Sequence, residues 1–128
     1  MTATDYLEAN VLNYLTNSLN LGAITSYIGL FTVAPTDSTP GTEASYGGYA
    51  RQPAAAAFPN ATTGTLINDV AVVYPTSAGP LNTIVAVGLF DASTAGNLLV
   101  YQALAVSIAI NSAETPRFSV GSIIMNMD

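Results

Sequence analysis

The residues able to do chemistry are few, and they gather once. Arg51 is one of only two basic residues in a chain of 128, and it closes the stretch GTEASYGGYARQ, residues 41–52. Glu43, Gly47, Gly48 and Tyr49 stand in the same stretch. An arginine placed this way has two uses. Its planar fork can hold a carboxylate such as Glu43 or Asp91 through two parallel bonds. Its plane can stack on a tyrosine, and Tyr49 shares its strand face because side chains two apart point the same way. A glycine pair can also cradle a phosphate with backbone N–H groups. The simpler reading of Gly47 and Gly48 is a turn that leads into a strand. The partner of Arg51 then lies either within the chain, where the arginine clamps a loop to a sheet, or on a neighbour, where it fixes subunit register.

Catalysis finds little to work with. The chain has no His, Lys or Cys, so nothing but a carboxylate is present to activate its serines and threonines. The eight acids are Asp5, Glu8, Asp37, Glu43, Asp69, Asp91, Glu114 and Asp128. No spacing among them singles out the facing pair that a glycosidase needs. Zinc without Cys or His is improbable, no calcium-loop pattern occurs, and GxxxxGK[ST] is missing. The sequence therefore predicts no enzyme, no cofactor and no metal.

Composition limits the partners. Charged residues make up 8% of the chain, against about 25% in an ordinary soluble domain. Net charge is -6. Two arginines cannot neutralise a useful number of phosphates, which removes nucleic acid, and an anionic membrane is an equally poor partner. The N-terminus lacks a basic n-region and carries Asp5 and Glu8, which argues against a secretory signal. A surface this poor in charge suits burial against neighbours better than free diffusion.

The elements that must position Arg51 are mostly strands. Leu7, Val11, Tyr14, Leu15, Ser18 and Leu19 recur at helical spacing, so residues 1–21 hold an amphipathic helix. Thr4 is its N-cap, Asp5 and Glu8 sit in its first turn, and Asn20-Leu21-Gly22 is its stop. The helix either packs on its own sheet or serves as an arm on a neighbouring subunit. Beyond it the pattern is β throughout. Strands are expected at 26–34, 49–58, 66–74, 83–92, 98–110 (one long or two short) and 117–127, with Pro53 confining the second to a sheet edge. Residues 34–48 read as a long interface loop. Tyr27, Phe31, Phe90 and Tyr101 read as core, whereas Tyr46, Tyr49 and Tyr74 fall at strand ends or in loops. Ile-Gly-Leu-Phe at 28–31 and Val-Gly-Leu-Phe at 87–90 echo each other, which marks two equivalent central strands. The expected fold is one all-β domain over 1–128, an antiparallel sandwich or jelly-roll-like domain with one N-terminal helix.

The stretch 41–52 resembles a motif, G-T-E-x-S-x-G-G-Y-x-R-Q, of small tailed-bacteriophage virion structural proteins, often described as tail fibre proteins. DYLEANVLNY, YIGLFTVAPTD (27–37), GLFDASTAGNLLVYQAL (88–104) and RFSVGSIIMNMD resemble further blocks of that family in order. Ala95 stands where the family pattern has the first glycine of a pair, and residues 54–82 match no block. The resemblance implies a virion component rather than a chemistry. Because the chain carries no repetitive shaft, it favours a capsid decoration or cement protein, with a tail fibre or tail-tip component, carbohydrate- or receptor-binding, as the alternative. It implies the major capsid protein or other virion proteins as partners and a homo-oligomer, trimer or dimer, on the virion.

Overall fold

The computed structural model describes residues 1–17 and 22–126. In chain order the elements are β1 (Thr2–Ala3), α1 (Asp5–Asn17), β2 (Tyr27–Val33), β3 (Thr42–Glu43), β4 (Gln52–Pro53), a 3-10 turn (Ala54–Ala56), β5 (Thr65–Ile67), β6 (Val72–Val73), β7 (Asn82–Phe90), β8 (Leu98–Ile110), β9 (Arg117–Phe118) and β10 (Ile124–Asn126). The fold is an all-β, antiparallel sandwich with a single N-terminal helix. One layer is a six-stranded sheet in the order β1-β8-β7-β2-β3, with β4 also paired to β2. The other is made of two ribbons, β5 with β10 and β6 with β9.

The central strands β2 and β7 are apolar on both faces because both faces are covered. Ile28, Leu30, Ile84, Val87 and Leu89 point into the main core with Val72, Tyr74, Phe118 and Ile123 from the second layer. Phe31, Ala86 and Phe90 form a separate cluster on the other side. Ile84 and Val87 share a face because the ladder slips between Ile84 and Ala86: β7 advances two residues there while β8 advances from Ile108 to Ala103. Asn68 is 1% exposed and holds the second layer together. Its amide donates to the carbonyls of Val70 and Ser119 and accepts from the N–H of Ile123, so the polar group is satisfied where it is buried.

The opening segment differs from its expectation. Residues 2–3 are strand, paired with Val100 and Tyr101, and the helix begins only at Asp5. Thr4 does two jobs at the junction. Its hydroxyl accepts from the Leu7 N–H at the helix N-terminus and lies within bonding distance of the Leu98 and Leu99 carbonyls of β8, so the cap also moors the helix. The expected stop falls partly outside the described residues, at Asn20 and Leu21; Gly22 has a φ of 61°. The loop expected over 34–48 is shorter than that. Thr42 and Glu43 pair with β2, while Ala44 and Tyr46 are buried. The strand expected over 49–58 shrinks to Gln52–Pro53 at the sheet edge, since Pro53 cannot donate to a ladder. The expected 66–74 strand divides into β5 and β6, and the 117–127 segment into β9 and β10.

Candidate functional site

The site is founded on two glycines. Gly29 of β2 and Gly88 of β7 face each other across the ladder, so the two echoing tetrapeptides are direct antiparallel partners. Each glycine makes room for the other strand's ring. A Cβ on Gly29 would sit 2.7 Å from the Phe90 ring, and one on Gly88 would sit 3.0 Å from the Phe31 ring. Phe31 and Phe90 stack at 5.6 Å between centroids. The result is a flat aromatic floor on the outer face of the sheet.

Arg51 lies on that floor. Its guanidinium carbon is 3.4 Å from the Phe90 ring centroid, a cation–π geometry. Its edge holds Glu43 by the fork: Nε donates to Oε1 at 2.7 Å and Nη2 to Oε2 at 2.8 Å. The Nη1 group donates to the carbonyls of Ala92 and Ala95, at 2.7 and 2.8 Å. Arg51 is one of three segments joined here, with β3 and the turn after β7 as the others. Its side chain is 6% exposed and that of Glu43 28%.

Tyr49 completes the node. Its hydroxyl donates to Glu43 Oε1 at 2.8 Å and accepts from the Leu30 N–H at 2.9 Å. It thereby fills the gap on the β2 edge between β4 and β3. Burial pushes the Tyr49 hydroxyl far above its ordinary value, with the neighbouring Glu43 adding to it, so it stays a donor at any physiological pH. Behind it an aromatic ladder runs Tyr46, Tyr49, Tyr74 and Phe118, with successive centroids 5.4, 6.3 and 6.3 Å apart. Tyr46 and Tyr74, expected at rims or loops, are core residues; their hydroxyls donate to the carbonyls of Pro75 and Ile28. Among the residues expected as core, Phe31 and Phe90 are buried and Tyr27 and Tyr101 are half-buried.

The six candidate residues separate into three groups. Glu43, Tyr49 and Arg51 converge. Gly47 and Gly48 form the preceding turn, where Gly47 exchanges backbone bonds with Gly79 and Ala78 and Gly48 takes a φ of 87° that favours glycine. Asp91 stands beside the node but its carboxylate accepts from the backbone and side-chain N–H groups of Asn97 at 2.6 and 2.9 Å, not from Arg51. Burial raises its pKa, and the Asn97 bonds with the Arg51 charge outweigh this and hold it below the ordinary value. Three contributors had not been foreseen: Phe90 as the stacking ring, and the carbonyls of Ala92 and Ala95. Ala95 did leave a signal, as the residue that replaces a glycine; its φ is 51°, a left-handed position that turns its carbonyl onto Arg51.

The arrangement pairs a cation with a carboxylate, each held by the other. Four of the five guanidinium N–H donors are committed within the protein. Among the described residues no three His, Cys, Asp or Glu side chains group as metal ligands, and no helix is long and apolar enough to cross a membrane. A family model, described as Podophage GP4 fiber I protein gp80, matches residues 2–126. The chain belongs to this family. It is therefore a phage fibre-type virion structural protein. The family supports the fibre alternative and gives no support to capsid decoration, which was inferred from the missing repetitive shaft. No curated protein matches the chain.

Proposed function

We propose that this member of the fiber I family is a tail-fibre subunit that works by binding copies of itself, through α1 and the outer edge of β8. The observation that carries this reading is the helix. None of its described side chains is fully buried, and Leu12, Tyr14 and Leu15 are 61%, 47% and 70% exposed. A single helix of 13 residues is marginal in water without tertiary packing, so leucines displayed on it call for a cover. The β8 edge agrees. Strand β1 covers it only at Val100 and Tyr101, and the segment ALAVSIA, 103–109, carries neither a charge nor a proline to discourage pairing. Val106 there is 78% exposed. The accessible surface is 7169 Å², about 770 Å² more than the ~6,400 Å² expected for a chain of this mass.

The Arg51 node serves this role as an internal clamp, since its charge is satisfied within one chain. Light scattering after size exclusion tests the assembly. The protein should elute as a dimer or trimer, and the double variant L12S/L15S should elute as a monomer with an unchanged β-type circular dichroism spectrum. A wild type that stays monomeric at high concentration, or a double variant that assembles normally, refutes the proposal. Antibody labelling of virions tests the location: label on the tail is expected, and label over the head shell would overturn it.

A further inference from the structure

A second polar feature lies away from the Arg51 node, where the start of α1, the loop after β2 and the turn before β8 meet. Tyr6, Asp37, Ser38, Thr39, Pro40 and Asn97 face one open crevice of about 320 Å³. Tyr6 is 44% exposed, so a large apolar ring faces solvent beside acceptors and hydroxyls. We infer that this crevice binds a neutral saccharide, with the Tyr6 ring against a sugar face and Asp37 and Asn97 on its hydroxyls.

Three observations support that chemistry. The first is unused hydrogen-bonding capacity. Asp37 accepts from the Tyr101 hydroxyl through Oδ1, and Asn97 spends its N–H groups on Asp91. Among the described residues Asp37 Oδ2, Asn97 Oδ1 and the Ser38 and Tyr6 hydroxyls have no protein partner. A sugar offers the matching row of O–H donors, with apolar C–H faces for the ring. The second is pre-organisation. The bonds just named hold both acceptors in place, and Thr36 and Thr39 lock the loop with hydroxyl and backbone bonds, so little ordering remains to be done on binding. The third is charge. No basic residue lines the crevice while Asp37 does, and Asp5 bonds Asp37 through its backbone N–H. This disfavours phosphate and acidic sugars, and a single lining carboxylate is too few for a divalent cation. Leu15 lies nine residues beyond Tyr6, two and a half helical turns at 3.6 residues per turn, so the crevice and the Leu15 face point in opposite directions. An assembly through the Leu15 face, as proposed above, would leave the crevice open.

The test is NMR titration of the full chain with glucose, galactose, mannose, rhamnose and N-acetylglucosamine at tens of millimolar. At least one sugar should shift amides in 36–40 and 96–98. Tyr6→Ala should weaken that binding about tenfold, the scale of one lost ring stack, while Tyr6→Phe keeps it within about threefold because the ring remains. Both variants are checked for native dispersion, since Tyr6 is exposed. The inference fails if no sugar shifts these amides, or if Tyr6→Ala binds like wild type. Failure here leaves the light-scattering result untouched, so the two readings are judged separately.

Discussion

Replacing Arg51 with alanine removes three kinds of contact at once, and each has a size. The ion pair has one partner almost wholly buried and the other about a quarter exposed. Breaking a fully buried pair costs about 3–5 kcal/mol and an exposed one about 0–1, so about 2 kcal/mol is the value for this geometry. The stack on Phe90 adds about 1 kcal/mol. The carbonyls of Ala92 and Ala95 lose a charged donor but reach water, for about 0.5–1 kcal/mol together. The loss is therefore about 3.5–4 kcal/mol. Unfolding entropy near 2.1 cal/mol/K per residue makes 1 kcal/mol worth about 4 °C for a chain of this length, so Tm should fall by about 14–16 °C in a thermal scan by circular dichroism. Arg51→Lys should fall about half as far, because it keeps the charge and loses the fork and the flat stack. Glu43→Gln supplies the second arm of a double-mutant cycle, with an expected coupling to Arg51→Ala of at least about 1 kcal/mol. A drop below about 4 °C, or additivity in the cycle, would refute the clamp.

Two further outcomes follow from the turn beside the clamp. Ala95→Gly should raise stability by about 0.5–1 kcal/mol in urea denaturation, because a left-handed alanine costs about 1–2 kcal/mol and glycine gives part of that back as chain entropy; a loss of stability would show that Ala95 is not strained. Asp91 is held below its ordinary value of 3.8 in the fold, so its contribution is present above about pH 4 and disappears as pH falls through the lower folded value. Asp91→Asn should therefore flatten the acid limb of a Tm–pH profile while lowering Tm at neutral pH; an unchanged acid limb would exclude the Asn97 bonds as its cause.

The sandwich class, the central strands and the helix were legible because each has a period or a turn signal that composition alone reveals. YIGLFTV and NTIVAVGLF are too apolar for one covered face. What stayed hidden depends on register. Nothing in the local pattern of Gly29 says that it will meet Gly88, and only that meeting places Phe90 under Arg51. Glu43 was legible as a partner because it is eight residues away in a stretch with few charges. The Ala92 and Ala95 carbonyls were not, since backbone acceptors have no side-chain signature. Within the segment 42–48, Thr42–Glu43 was misread as loop because turn formers flank it on both sides, whereas Gly47 and Gly48 do form the expected turn. Tyr46 was the residue in it that argued otherwise, being too large to leave uncovered in a segment that returns to the sheet.

Arg51 also matters for what it withholds from the outside. With its charge buried against Glu43, the exterior keeps a single basic side chain among the described residues, Arg117, against exposed Asp5, Glu8, Asp37, Asp69 and Glu114. In the assembly proposed above, neighbouring copies would thus meet with like charge. Screening by salt shortens that repulsion, to about 8 Å at physiological strength, and leaves the contacts between leucines and strand edges in place. Association of such subunits strengthens as ionic strength rises, the reverse of an assembly held by surface ion pairs.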